Sequence, residues 1–217
     1  MRDSRLLKKD LFGEVWLQYL DEEAVILRDT GTAHWWVRWL ARALLRREAA
    51  GLAALDGLDG VPVLVHFDKN KLTRSYVAGA PMHVGRPSDT AYFLSAARLL
   101  RRLHRAGVVH NDLAKEPNLL VRDDGSAAFI DFQLAWHSNN RGRLFRIAAR
   151  EDIRHLLKHK RTYTPGDLTQ RELRILDSPS GLARAWMGLF KPVYLFVTRR
   201  LLHWSDREGA GDRGQQA

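Results

Sequence analysis

Residues 110–132, HNDLAKEPNLLVRDDGSAAFIDF, constrain the fold more than any other part of this chain. Two short apolar runs, residues 119–121 and 127–130, flank Asp123-Asp124-Gly125-Ser126, so the segment predicts a tight antiparallel hairpin. Asp112 sits on a loop entered from the apolar pair Val108-Val109, Asn118 follows six residues later, and Asp131 closes the second apolar run. The hairpin thus carries an ordered set of oxygen-bearing side chains on a loop, at a strand start and at a strand end.

The flanking sequence predicts the rest of an α+β chain. Strands over residues 13–19 and 24–28 enclose the turn Asp21-Glu22-Glu23. Trp36, Leu40 and Leu44 recur at four-residue spacing in a helical pattern over 34–55, which Gly57 and Gly60 stop. Strands over 63–67 and 72–77 follow, joined by Asp68-Lys69-Asn70-Lys71, with Pro62 tolerated just ahead of the first. A helix over 90–106 has Asp89 as its N-cap and Gly107 as its stop. Residues 136–150 read as a short basic connection, 151–157 as a helix, 182–202 as a pair of core-covering helices, and 209–217 as a disordered tail.

At 24.9 kDa the chain can bury the core of one enzyme-sized domain. It has no cysteine, which excludes disulfides and thiolate metal sites. Neither a signal-peptide core at the charged N-terminus nor a long uncharged apolar stretch is present, so the expectation is a cytoplasmic protein, or one resting on the cytoplasmic face of the inner membrane. The net charge of +10 points to an anionic partner. Between residues 141 and 161 there are eight Lys or Arg against Glu151 and Asp152, and Arg38, Arg42, Arg46 and Arg47 lie among Trp35, Trp36 and Trp39. A lipid interface, nucleic acid and a merely solvated basic face all fit this pattern, although no nucleic-acid module is recognisable.

Phosphoryl transfer from ATP requires a carboxylate that orients a hydroxyl and accepts its proton, with an amide and a second carboxylate holding magnesium on the phosphates. In that light His110-Asn111-Asp112 resembles the catalytic-loop H-x-D of the protein-kinase superfamily, Asn118 its metal-binding asparagine, and Asp131-Phe132-Gln133 its D-F-G with glutamine for glycine. Five residues rather than four separate Asp112 from Asn118. The likeness extends over roughly residues 9 to 160 and is closest to bacterial atypical kinases, the lipopolysaccharide core and Kdo kinase group with its RIO-type relatives.

The resemblance implies a two-lobed kinase-like fold. Residues 1–79 would form an N-terminal lobe of five strands plus one helix, and 80–208 a reduced, mainly helical C-terminal lobe. It implies ATP and magnesium as cofactors, and an anionic acceptor, either a lipopolysaccharide core sugar or a protein Ser/Thr. By this likeness Gly13 belongs to a glycine-rich loop stripped of its earlier glycines, and Arg28 takes the place of the phosphate-binding lysine, paired with Glu48 twenty residues on. Tyr76 and Val77 would contact adenine through backbone groups, Asp112 and Lys115 would be catalytic, and Asn118 and Asp131 would bind the metal. Asp152 resembles the buried aspartate that steadies the catalytic loop, and a pseudokinase acting as a binding module is the alternative.

Overall fold

In the computed structural model, which describes residues 4–178, the chain opens on a meander of three strands: β1 (Arg5–Asp10), β2 (Gly13–Leu20) and β3 (Glu23–Asp29). Asp21 and Glu22, at φ 48° and 69°, form a two-residue turn between the paired ends Leu20 and Glu23, a twist that suits a hairpin. Helix α1 (Arg38–Ala53) then leads to β4 (Leu64–Phe67) and β5 (Lys71–Ser75). The five strands form one antiparallel sheet in the order β1-β2-β3-β5-β4. Register places Arg28 opposite Leu72 and Ile26 opposite Arg74, so side chains two apart on β5 share the face that α1 covers with Leu45, Ala49 and Leu52.

Gly13 is fixed by sterics rather than by composition. Its φ is +126°, and a Cβ there would lie 2.1 Å from the Asp29 carbonyl oxygen. Gly13→Ala is therefore expected to cost about 1–3 kcal/mol in backbone strain alone, read as a loss of several degrees in thermal midpoint. A variant as stable as the parent would show that the β1–β2 turn is not held as described.

The second part is mainly helical. After β6 (Ala80–Pro81) and the single turn α2 (Met82–Gly85) comes α3 (Thr90–Arg105), whose N-cap Asp89 accepts from the Ala91 amide at 2.8 Å. Gly107, at φ +76°, ends it as expected. Strands β7 (Val108–Val109), β8 (Leu119–Val121), β9 (Ala127–Phe129) and β10 (Trp136–His137) follow, with β8 and β9 forming the expected hairpin and β10 pairing with β7. Helices α4 (Arg143–Tyr163) and α5 (Gln170–Asp177) complete the described residues. One apolar cluster joins Leu45 and Leu52 of α1 to Phe93, Leu100 and Leu103 of α3 and to Leu113, Phe129 and Phe132. The architecture is α+β, with a five-stranded antiparallel sheet and several helices, and is compatible with two lobes.

Two helices depart from the sequence expectation, and the strand expected over 72–77 runs Lys71–Ser75, which leaves Tyr76 and Val77 beyond its end. Helix α1 starts at Arg38 rather than 34, because residues 34–37 form a turn closed by the Val37 amide on His34 O and offer no side-chain cap. Helix α4 begins eight residues before 151 and runs to Tyr163, absorbing much of the expected basic connection. Its inward stripe mixes Phe145, Asp152, Leu156 and His159, so hydropathy alone hid it. The expected helices over 182–202 and the tail over 209–217 lie outside the described residues. Among the described residues no helix is long and apolar enough to cross a membrane.

Candidate functional site

The loop after β7 is held from below by α4. Asp152, 1% exposed at mid-helix, accepts from the backbone N–H of His110 at 2.8 Å and of Asn111 at 2.9 Å, and its Oδ2 lies 3.3 Å from His104 Nε2. That geometry matches the loop-steadying role. Asp152 lies nine residues into a helix that begins at Arg143, well away from its N-terminal turn. Asn111 sits in the left-handed region at φ 63°, which asparagine tolerates, and its Nδ2 donates to Leu134 O at 3.0 Å.

His110 is fully buried and structural. The Asp112 amide donates to its Nδ1 at 3.3 Å, so Nδ1 is the acceptor, and Nε2–H donates to Ile130 O at 3.0 Å. The ring, tilted against Phe132 with centroids 4.6 Å apart, therefore ties the loop bearing Asp112 to the strand end bearing Asp131. Asn118 completes the junction. Its Nδ2 donates to both the carbonyl and the Oδ2 of Asp112 at 2.9 Å, and its carbonyl accepts from the Ile130 amide at 3.0 Å. The extra residue between Asp112 and Asn118 is taken up by a 3₁₀ turn over Glu116–Asn118, whose tighter winding keeps the two side chains in contact.

Lys115 reaches the same carboxylate, with Nζ 3.0 Å from Asp112 Oδ2. Burial pushes the Asp112 carboxyl up, as does the charge of Asp131, while Lys115 and Asn118 pull it back only in part. Asp131 behaves oppositely. Burial alone would raise it, but Arg28 and then Arg74 outweigh that, with help from the Gln133 side chain, whose Nε2 donates to Asp131 Oδ1 at 2.7 Å. Asp131 also adopts φ 65°, ψ 71°, a strained conformation of the kind held at functional sites.

The cations facing Asp131 are organised by one acid. Glu48 on α1, 1% exposed, pairs with Arg28 Nη1 at 3.4 Å and with Arg74 Nε at 3.2 Å. The resemblance implies the Arg28–Glu48 pair but not Arg74. Its signal was present in the β5 alternation, which sends Leu72 and Arg74 to the same inward face.

The structure thus brings Asp112, Lys115, Asn118 and Asp131 together and sets Arg28, Glu48 and Arg74 against Asp131. Gly13 lies at the start of β2, packed on Asp29, and the Tyr76 amide is committed to Ala24 O at 3.0 Å. Among the described residues no three His, Cys, Asp or Glu side chains cluster as a self-sufficient metal cage. Asn118 Oδ1 and the ionised Asp131 carboxylate are oxygen donors of the type that magnesium accepts, an ion that takes one or two protein oxygens in nucleotide sites and the remainder from phosphates and water.

No family model matches the chain. Over 123 residues it is 32% identical to a protein of Streptomyces coelicolor named probable SapB synthase, a match covering 46% of this chain and 13% of that protein. The chain therefore corresponds to a small part of that relative's length.

Proposed function

We propose that the chain is an ATP-dependent phosphotransferase with a two-lobed protein-kinase-like fold, moving the γ-phosphate to a hydroxyl of a lipopolysaccharide core sugar or of a protein Ser/Thr. In this reading residues 1–79 are the N-terminal lobe and 80–208 the C-terminal lobe, and the enzyme works in the cytoplasm or against the inner membrane. The likeness to a stretch of a protein named as a synthase does not itself point to phosphoryl transfer. One observation carries the reading: a part-buried aspartate bonded to an asparagine adjoins a second, ionised aspartate that faces an arginine pair held by a buried glutamate.

Each residue then has a task. Asp112 orients the acceptor hydroxyl and takes its proton as the oxygen attacks the γ-phosphorus and the bond to the β-phosphate oxygen breaks. Lys115, already beside Asp112, balances charge on the transferred group. Arg28 and Arg74, held by Glu48, bind phosphate oxygens through their planar forks. Val77 carries the adenine contact, because the Tyr76 amide is used within the sheet. Magnesium, held by Asn118 and Asp131, would neutralise charge on the β- and γ-phosphates.

A second reading rests on Gln133. Its bond to Asp131 Oδ1 occupies an oxygen that a metal would use, as expected of a nucleotide-binding or scaffolding module that performs no transfer. Incubating the chain with γ-labelled ATP and magnesium, against purified lipopolysaccharide and against a protein lysate, separates the two. Label on either acceptor, lost with Asp112→Ala, supports the enzyme. Nucleotide binding without label on any acceptor leaves the scaffold.

A further inference from the structure

We propose that Trp35, Trp36 and Trp39, with Arg42 and Arg46, form a docking surface for an anionic phospholipid bilayer. The turn over residues 34–37 feeds directly into α1, with Val37 O accepting from the Ala41 amide at 2.9 Å. Trp35 and Trp39 are four residues apart across this junction and are 82% and 69% exposed, while Trp36 is 39% exposed. The same helix buries Leu45, Ala49 and Leu52 on its sheet side, so these indoles are not surplus core residues. Each indole presents on the order of 150–250 Å² when unburied, and three in five consecutive positions make a clustered apolar patch of the kind that marks an interaction site.

Charge selects the partner. Trp39, Arg42 and Arg46 follow the i, i+3, i+7 spacing of one helical stripe, so the apolar end runs directly into a basic end. Residues 31–47 contain no acidic residue. Arg42 Nε donates to Asn70 Oδ1 at 2.8 Å, which ties the stripe to the β4–β5 turn, where Lys69 is exposed. The acids of that corner are already engaged: Asp29 with Lys71 at 3.3 Å, and Asp68 Oδ1 with the amides of Asn70 and Lys71. Indole rings and guanidinium groups on one surface suit the headgroup layer, where an apolar body and a polar edge are both satisfied and basic groups meet lipid phosphates. The His34 amide bonds Leu11 O at 3.1 Å, so a bilayer held here would lie at the β1–β2 end of the sheet.

The test is flotation of the full chain, without nucleotide, on vesicles of equal phosphatidylglycerol and phosphatidylcholine and on vesicles of phosphatidylcholine alone. This readout is independent of phosphoryl transfer, so its failure leaves the enzymatic reading untouched. The expected result is association with the anionic vesicles, about tenfold weaker on neutral ones and weakened about tenfold or more by the double change Trp35→Ala, Trp39→Ala. Arg46→Gln should weaken anionic binding alone, several-fold, without moving the thermal midpoint. Unchanged binding in the double variant would overturn the proposal, because the charge would then act from elsewhere. So would the absence of wild-type vesicle binding, whether the patch proves to bind single-stranded oligonucleotide, to join two copies, or to be covered by residues 179–217.

Discussion

Asp112→Ala is expected to lower phosphoryl-transfer turnover by about 10² to 10⁴-fold while Mg-ATP affinity stays within a few-fold of the parent. Asp112 contacts Asn118 and Lys115, whereas Arg28 and Arg74 are held by Glu48, so its removal leaves the arginine pair assigned to the phosphates in place. Its effect should also have a pH signature. The base must be ionised, and burial together with the Asp131 charge raises its pKa above the ordinary carboxylate range. The rate therefore rises with pH over a limb lying above that range, and Asp112→Ala removes the limb. Lys115→Met, which deletes the principal opposing cation, should move the limb to higher pH rather than abolish it. Steady-state turnover with labelled ATP, paired with calorimetric titration of Mg-ATP, reads both quantities. Equal loss of binding and turnover in Asp112→Ala would contradict the assignment of proton acceptor.

Asp152→Ala is expected to be the most destabilising single change in the loop region. It leaves the buried His110 amide and the part-buried Asn111 amide without their acceptor. One buried and one part-buried donor left unsatisfied cost together about 2–5 kcal/mol, which for a chain of this size lowers the thermal midpoint by roughly 5–15 °C. Asp152→Asn, which keeps one acceptor oxygen, should fall between. Thermal melts combined with amide exchange at positions 110 and 111 give the result. A loss below about 1 kcal/mol, comparable to a surface substitution, would mean that water satisfies these amides and that Asp152 does not hold the loop.

The sequence carried the site better than it carried the elements around it. The hairpin of β8 and β9 was plain because two apolar runs flank an Asp-Asp-Gly-Ser turn, and that hairpin alone brings Asn118 beside the residue preceding Asp131. The link between Asp112 and Asp131 was not visible, since it runs through the two ring nitrogens of His110 and a carbonyl. Arg74 carries no such signal, because one inward-facing arginine in a short strand looks like an edge residue until the register is known. Helix α4 was underestimated where its buried face carries Asp152 and His159, polar residues used to hold the backbone of the loop. Polar groups recruited to support a site blur the hydropathy pattern that would reveal the helix bearing them.

The most direct test of the phosphotransferase reading is calorimetric titration of ATP into the full chain and into Asp131→Ala, each with magnesium and with chelator. Saturable, magnesium-dependent binding to the parent and none to the variant is the expected result, since Asp131 is the ionised carboxylate set between Arg28, Arg74 and the loop of Asp112. A parent chain that binds no Mg-ATP, or a variant that binds it equally well, would contradict the placement of the triphosphate at this site.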